Sequence, residues 1–344
     1  MKRLFANLIL GALGTAATLA GDLNPPVGPV APTMKTLVEI EPRIAISAAN
    51  TPGDANSSFR IVSPGSYYVC ASLVGDSGKH GIEVAADGVT IDLNGFALTG
   101  VAGSLAGISA DNSVRHRVHI YNGAVVGWGL DGISVTLGDS SGMLVERVRA
   151  ADISGDGISV ARDSHIRACV AEQNGADGIS VYYGSMIMDC IAAGNGASGI
   201  STLGACVIRG CTARANEYAG INAFEDGLIE SCAVVSNLGD GNVVGYDCVV
   251  RGNLATGNGQ GAAIGAGIAV GQFLRGNRIE DNQVNGNDFG LKVDGDNNFI
   301  VRNTARGNTS GNFSVVAGNE LAPVITNPGS SGFASMTPWS NVAY

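Results

Sequence analysis

Three aspartates, Asp131, Asp156 and Asp177, stand at one phase of a repeat, each followed by Gly-Ile. If successive repeats stack as β-coils, their Cα atoms lie one strand spacing apart, ~4.8 Å. Neighbouring carboxylates at that distance approach the roughly 5 to 5.5 Å separation of retaining glycosidases. Alternate ones approach the upper end of the roughly 6.5 to 9.5 Å inverting range. Crowded carboxylates could instead share a hard cation such as Ca²⁺. A third account needs no ligand, because Asp-Gly is favoured turn chemistry. The spacing permits all three, so Asp131, Asp156 and Asp177 stand as candidate catalytic residues and as candidate metal ligands.

A second set lies one residue past each isoleucine. There the chain reads Ser109, Ser134, Ser159, Ser180, Ser201 and Asn222, and two residues further on Asp111, Thr136, Ala161, Tyr182, Leu203 and Phe224. Strand alternation points both rows away from the core. Short hydroxyls and amides can bond to sugar oxygens while rings stack on sugar faces. Ser159, Ser180, Tyr182, Ser201, Asn222 and Phe224 are therefore the candidate substrate-binding residues. The competing account is that a loop or the C-terminal tail covers them.

These residues are placed by a period of 21. Cys169, Cys190, Cys211 and Cys232 share one phase, and Asn174, Asn195, Asn216, Asn237 and Asn258 share another. A unit that short encloses no core by itself, so each must bury its apolar side chains against the coils above and below. Taking the residue after each repeat glycine as a marker gives Ile82, Ile108, Ile133, Ile158, Ile179, Ile200, Ile221, Asn242, Ile268, Leu291 and Asn312, hence about eleven coils. A second inward row, Ile166, Ile187, Ile208, Ile229 and Val250, runs three residues ahead of the cysteine phase. An offset of three places Ile and Cys on opposite sides of a straight strand, so a bulge or bend is expected between them. The asparagines suit a ladder of stacked amides in turns that tolerate left-handed backbone.

Composition narrows the class. The chain has 344 residues, 51 glycines and 6% aromatics, which fits a turn-dense β architecture. Met1-Lys2-Arg3, the apolar run Leu4–Leu19 and Ala20 read as a secretory leader over 1–20. An extended proline-bearing segment follows over 21–58, then a repeat region over 59–322 and a tail over 323–344. No later stretch is long and apolar enough to span a bilayer. A net charge of −10 disfavours nucleic acid and anionic membranes as partners. The seven cysteines allow disulfides such as Cys169 with Cys190 or Cys211 with Cys232, or a column of buried thiols. His116 and His119 face opposite ways on a strand and cannot chelate one ion locally.

Ser63-Pro64-Gly65-Ser66-Tyr67-Tyr68, then Gly81-Ile82, then Gly88-Val89-Thr90-Ile91-Asp92-Leu93-Asn94-Gly95-Phe96 resemble the first rungs of right-handed parallel β-helix proteins of the pectin-lyase-like superfamily, among uncharacterised exported bacterial members. The resemblance covers residues 59 to about 322. It implies an all-β, right-handed parallel β-helix solenoid and polysaccharide ligands. It supplies no active site, since the Asn-Thr-Asp, Asp-Asp, Gly-His-Gly and Asp-Pro-His patterns of its enzymes are missing. The expectation is a secreted, periplasmic or cell-surface protein that binds an extended polysaccharide along its exposed strand face, with Ca²⁺ as a candidate cofactor. If it reacts, it does so as a polysaccharide lyase or glycoside hydrolase. The alternative is a non-catalytic structural or protein-interaction solenoid.

Overall fold

The computed structural model describes residues 41–259, 265–326 and 337–344. The leader expected over 1–20 and the segment 21–40 lie outside the described residues. Contacts divide the chain into two compact units, Met1–Pro42 and Arg43–Tyr344, and all strands described belong to the second. Among the described residues no helix is long and apolar enough to cross a membrane.

Equal phase does mean vertical adjacency. Ile133 pairs with Ile158, Ile158 with Ile179, Ile179 with Ile200 and Ile200 with Ile221, all in parallel register. Each of these isoleucines is fully buried, and burying one such side chain is worth about 1.5 to 3 kcal/mol. Twelve strands, from Ser57–Ile61 to Gly311–Val315, form this first sheet. The extra rung beyond eleven arises because Phe59 pairs with Ile82. At the far end Leu291 pairs with Phe313, so the marker Asn312 falls one residue early. Partial turns at both ends, Ile44–Ala45 beside Tyr67 and Asn341–Ala343 beside Thr304, bring the solenoid to about fourteen turns. Parallel stacking thus begins ahead of residue 59, and the tail re-enters the sheet.

The remaining strands make a single 24-stranded sheet folded into two columns. In the early coils one strand runs through both columns, as in His119–Val126 and Leu144–Ala151. In later coils it divides, as in His165–Arg167 and Val170–Glu172. The bend expected between Ile and Cys lies at Ala168, Asp189, Gly210 and Ser231, whose φ values run from +52 to +64°. One left-handed residue turns the chain enough to aim both Ile166 and Cys169 inward.

A second left-handed column, Gln173, Gly194, Ala215, Ser236 and Gly257, directly precedes the asparagines. The left-handed residue is therefore the neighbour of each Asn, and the Asn side chain turns inward. Asn174 Nδ2 donates to Asn195 Oδ1 at 2.9 Å, Asn195 to Asn216 at 2.9 Å and Asn216 to Asn237 at 2.8 Å. Two further ladders run through Asn253, Asn282, Asn303 and Asn341 and through Asn277, Asn298 and Asn319. The cysteines occupy the same ladder position: Cys232 N donates to Asn253 Oδ1 at 2.8 Å, as Asn253 N does to Asn282 Oδ1 at 2.9 Å. All seven cysteines are free thiols, so the disulfides considered from spacing are not formed. The thiols of Cys190 and Cys232 are pushed up, first by hydrogen bonding to neighbouring thiols and then by burial.

Candidate functional site

The first sheet brings two of the three expected rows together on its outer side. Tyr182, Leu203 and Phe224 follow one another on consecutive rungs, since Val181 pairs with Thr202 and Thr202 with Ala223. They are 40%, 40% and 50% exposed, and Tyr183 beside them is 46% exposed. Two glycines shape this shelf. A Cβ at Gly204 would sit 2.8 Å from the Tyr183 ring, and one at Gly245 would sit 1.7 Å from the Phe224 carbonyl oxygen. Phe224 meets Tyr246 edge to face, with ring centroids 6.0 Å apart. Ser180, Ser201 and Asn222 run alongside, each partly buried. Ser159 differs in being buried; its hydroxyl is engaged by Asp156, as that of Ser201 is by Asp177. Ala161, at the phase of Tyr182 one rung earlier, is also buried, so the open part of the stripe begins at Tyr182. The described part of the C-terminal tail lies elsewhere, pairing with Thr304–Arg306 and resting Trp339 on Arg302.

The aspartates form a file at the opposite end of the same strands. Asp131 Oδ1 accepts from Asp156 N at 3.0 Å, Asp156 Oδ1 from Asp177 N at 2.9 Å and Asp177 Oδ1 from Ser198 N at 2.8 Å. Asp240 repeats the contact with Ala266 N at 2.6 Å, and His80 Nδ1 repeats it with Ala106 N at 3.1 Å. One oxygen of each Asp is thus committed to the turn above it. Burial pushes the Asp156 carboxyl up to about 6, and the charges of Asp177 and Asp131 add to that against the bond from Asp177 N. Asp177 and Asp240 are raised chiefly by burial. Asp156 can therefore give or take a proton near pH 6, as a general acid must. Among the described residues no group of three or more His, Cys, Asp or Glu is disposed to hold a metal ion.

The repeat pattern did not bring out a polar cluster on the early column of the folded sheet. In-register pairing stacks Asp92, Tyr121, Glu146 and Arg167 on consecutive rungs. The unequal coil lengths there hide the alignment until the register is known. Glu146 is buried, lies 3.3 Å from His119 Nε2 and is held by Arg147 and Arg167. Burial would raise its carboxyl, but the Arg167 hydrogen bond and the charges of Arg147 and Arg167 hold it below the usual range. His119 stacks on Tyr121 with centroids 4.6 Å apart, and burial lowers its imidazole against the pull of Glu146. These ion pairs tie coils together.

The family described as a right-handed beta helix region matches residues 71–206. No curated protein matches the sequence. Among solved structures, the A-module of mannuronan C-5 epimerase AlgE4 from Azotobacter vinelandii is similar over 74% of this chain and 90% of its own, with 17% identity and a TM-score of 0.53. A mutant of the periplasmic alginate epimerase AlgG is similar over 87% and 80%, with 12% identity and a TM-score of 0.50. The Dettilon tailspike protein is similar over 84% of this chain and 60% of its own, with 16% identity and a TM-score of 0.50. At these identities the likeness is one of fold.

Proposed function

We propose, for a chain that is a right-handed parallel β-helix of the pectin-lyase-like fold, that the outer side of its first sheet binds an extended polysaccharide. The observation that carries this is the exposed run Tyr182, Leu203 and Phe224, one side chain per rung, flanked by Ser180, Ser201 and Asn222. Rungs repeat every ~4.8 Å, close to the length of one sugar residue in an extended chain. The rings of Tyr182 and Phe224, two rungs apart, can therefore stack on alternate sugars with Leu203 packing against the sugar between, while hydroxyls and the Asn222 amide take the sugar oxygens. Two proteins of like fold are by name a mannuronan epimerase and an alginate epimerase, which is consistent with a saccharide chain as the ligand class. The apolar leader supports export, to the periplasm, the cell surface or the medium.

Asp156 and Asp177 border the same sheet, and Asp156 is the group able to act as a proton donor if the bound chain is cleaved. The test is a polysaccharide panel with and without Ca²⁺, run on the native protein and on Tyr182→Ala/Phe224→Ala. Binding that weakens at least tenfold in the double variant, with an unchanged β-sheet spectrum, is the expected result. New reducing ends would add hydrolysis, and absorbance from unsaturated uronates would add elimination. Binding unaffected by the double variant would refute the site, and no binding to any polymer would favour a structural solenoid.

A further inference from the structure

Cys169, Cys190, Cys211 and Cys232 stand in single file inside the solenoid, each at most 2% exposed. Val148 continues the file below them and Asn253 above. Each sulfur lies 3.2 to 3.4 Å from the backbone carbonyl oxygen two residues back, at Arg167, Met188, Arg209 and Glu230. In-register pairing on either side of them, Val170 with Ile191, Ile191 with Thr212 and Thr212 with Ala233, sets successive cysteines one rung apart. Four sulfurs in one dry column, one rung apart, make a cluster with no part in the binding face described above.

We propose that this file is a site for two-coordinate soft metal ions, with Cys169 and Cys190 holding one ion and Cys211 and Cys232 a second. Geometry selects the coordination. A tetrahedral ion such as zinc needs four ligands converging from different directions, whereas these thiols are stacked in a line, and among the described residues no group of three or more His, Cys, Asp or Glu is disposed to hold one ion. Zinc–thiolate bonds are roughly 2.3 Å long, and a linear S–M–S unit with bonds of that order spans about 4.6 Å. That matches the ~4.8 Å rise between rungs. Thiolate softness favours copper(I) and its heavier relatives over hard ions.

Charge selects the stoichiometry. An apolar interior disfavours a net charge, and the neutral complex of a monovalent ion has one thiolate and one thiol. On binding, one S–H bond is lost, two M–S bonds form and one proton leaves to solvent, with no change of oxidation state. The backbone carbonyl beside each sulfur accepts the hydrogen of the thiol that remains protonated.

Silver(I), which stays monovalent in air, is the probe. Full-length Cys70→Ser protein, which lacks the one exposed thiol, is titrated in chloride-free buffer and followed by native mass spectrometry and X-ray absorption. The expected result is two ions per folded chain, each with two sulfur neighbours, and one ion after Cys190→Ser. Serine already fills an equivalent corner position at Ser164 and Ser185, and Cys190→Ala provides a second variant should the hydroxyl disturb folding. Silver uptake abolished by Cys70→Ser alone, three or four sulfur neighbours per ion, uptake unchanged in both Cys190 variants, or uptake only by unfolded chain would each overturn the proposal.

Discussion

Replacing Asp156 by Asn should stabilise the protein at neutral pH and leave it unchanged in acid. The Asp156 carboxyl is raised from 3.8 to about 6, chiefly by burial. A folded-state value above the unfolded one means that the folded chain binds more protons between about pH 4 and 6. Stability therefore falls as pH rises through that window, and the whole penalty is present above about pH 6. At roughly 1.4 kcal/mol per unit the shift corresponds to about 3 kcal/mol. Because the side chain is only partly buried, solvent screening reduces this to about 1 to 2 kcal/mol. Asparagine cannot ionise, and its Oδ1 can keep the 2.9 Å bond from Asp177 N. Trp128, fully buried one coil earlier, reports the local transition once the exposed Trp339 is replaced by Phe. Urea unfolding read from Trp128 should show Asp156→Asn more stable by that amount at pH 7.5 and equal to the parent at pH 3.5. A variant less stable than the parent at pH 7.5, or equally stabilised at both pH values, would refute the reasoning.

Ile179→Asp should unfold the coils around it, since it removes a fully buried side chain and leaves an unpaired charge among stacked isoleucines, at a cost above about 4 kcal/mol; loss of the β-sheet circular dichroism signal checks this. Asn216→Ala should cost several kcal/mol, because it removes the side-chain oxygen that accepts from both Asn195 N and Asn195 Nδ2 and the Nδ2 that donates to Asn237 Oδ1 and the Ala192 carbonyl, and its melting temperature should fall accordingly. Asn242→Ile should do the opposite. Asn242 stands between Ile221 and Ile268 with neither amide atom partnered, so the aliphatic replacement should gain about 2 kcal/mol in urea unfolding.

Much of the solenoid was legible because one structural period equals one sequence period. Wherever the step is 21, as from Ile158 to Ile221, phase translates directly into register. The marker failed at Gly311-Asn312 because a local Gly-X pair imitated the repeat glycine while the pairing set Phe313 in the column. The bend between Ile and Cys could be required but not located, since Ala168, Asp189, Gly210 and Ser231 share no residue type. Backbone conformation there is imposed by the stack. The open aromatic run was legible from alternation, yet the burial of Ser159 and Ala161 was not, because exposure depends on what packs outside the strand. The Glu146 network was hidden by unequal coil lengths, and no short motif marks it. The ionisation of Asp156 lay beyond spacing alone, for it follows from burial and from the charges of Asp131 and Asp177.

The most direct measurement is a crystal structure of the protein with an oligosaccharide drawn from the polymer it binds. Sugar rings should lie over Tyr182, Leu203 and Phe224 at intervals of one rung, with their oxygens bonded to Ser180, Ser201 or Asn222. A saccharide seated on either column of the folded sheet, leaving those three side chains bare, would contradict the assignment of the first sheet as the recognition face.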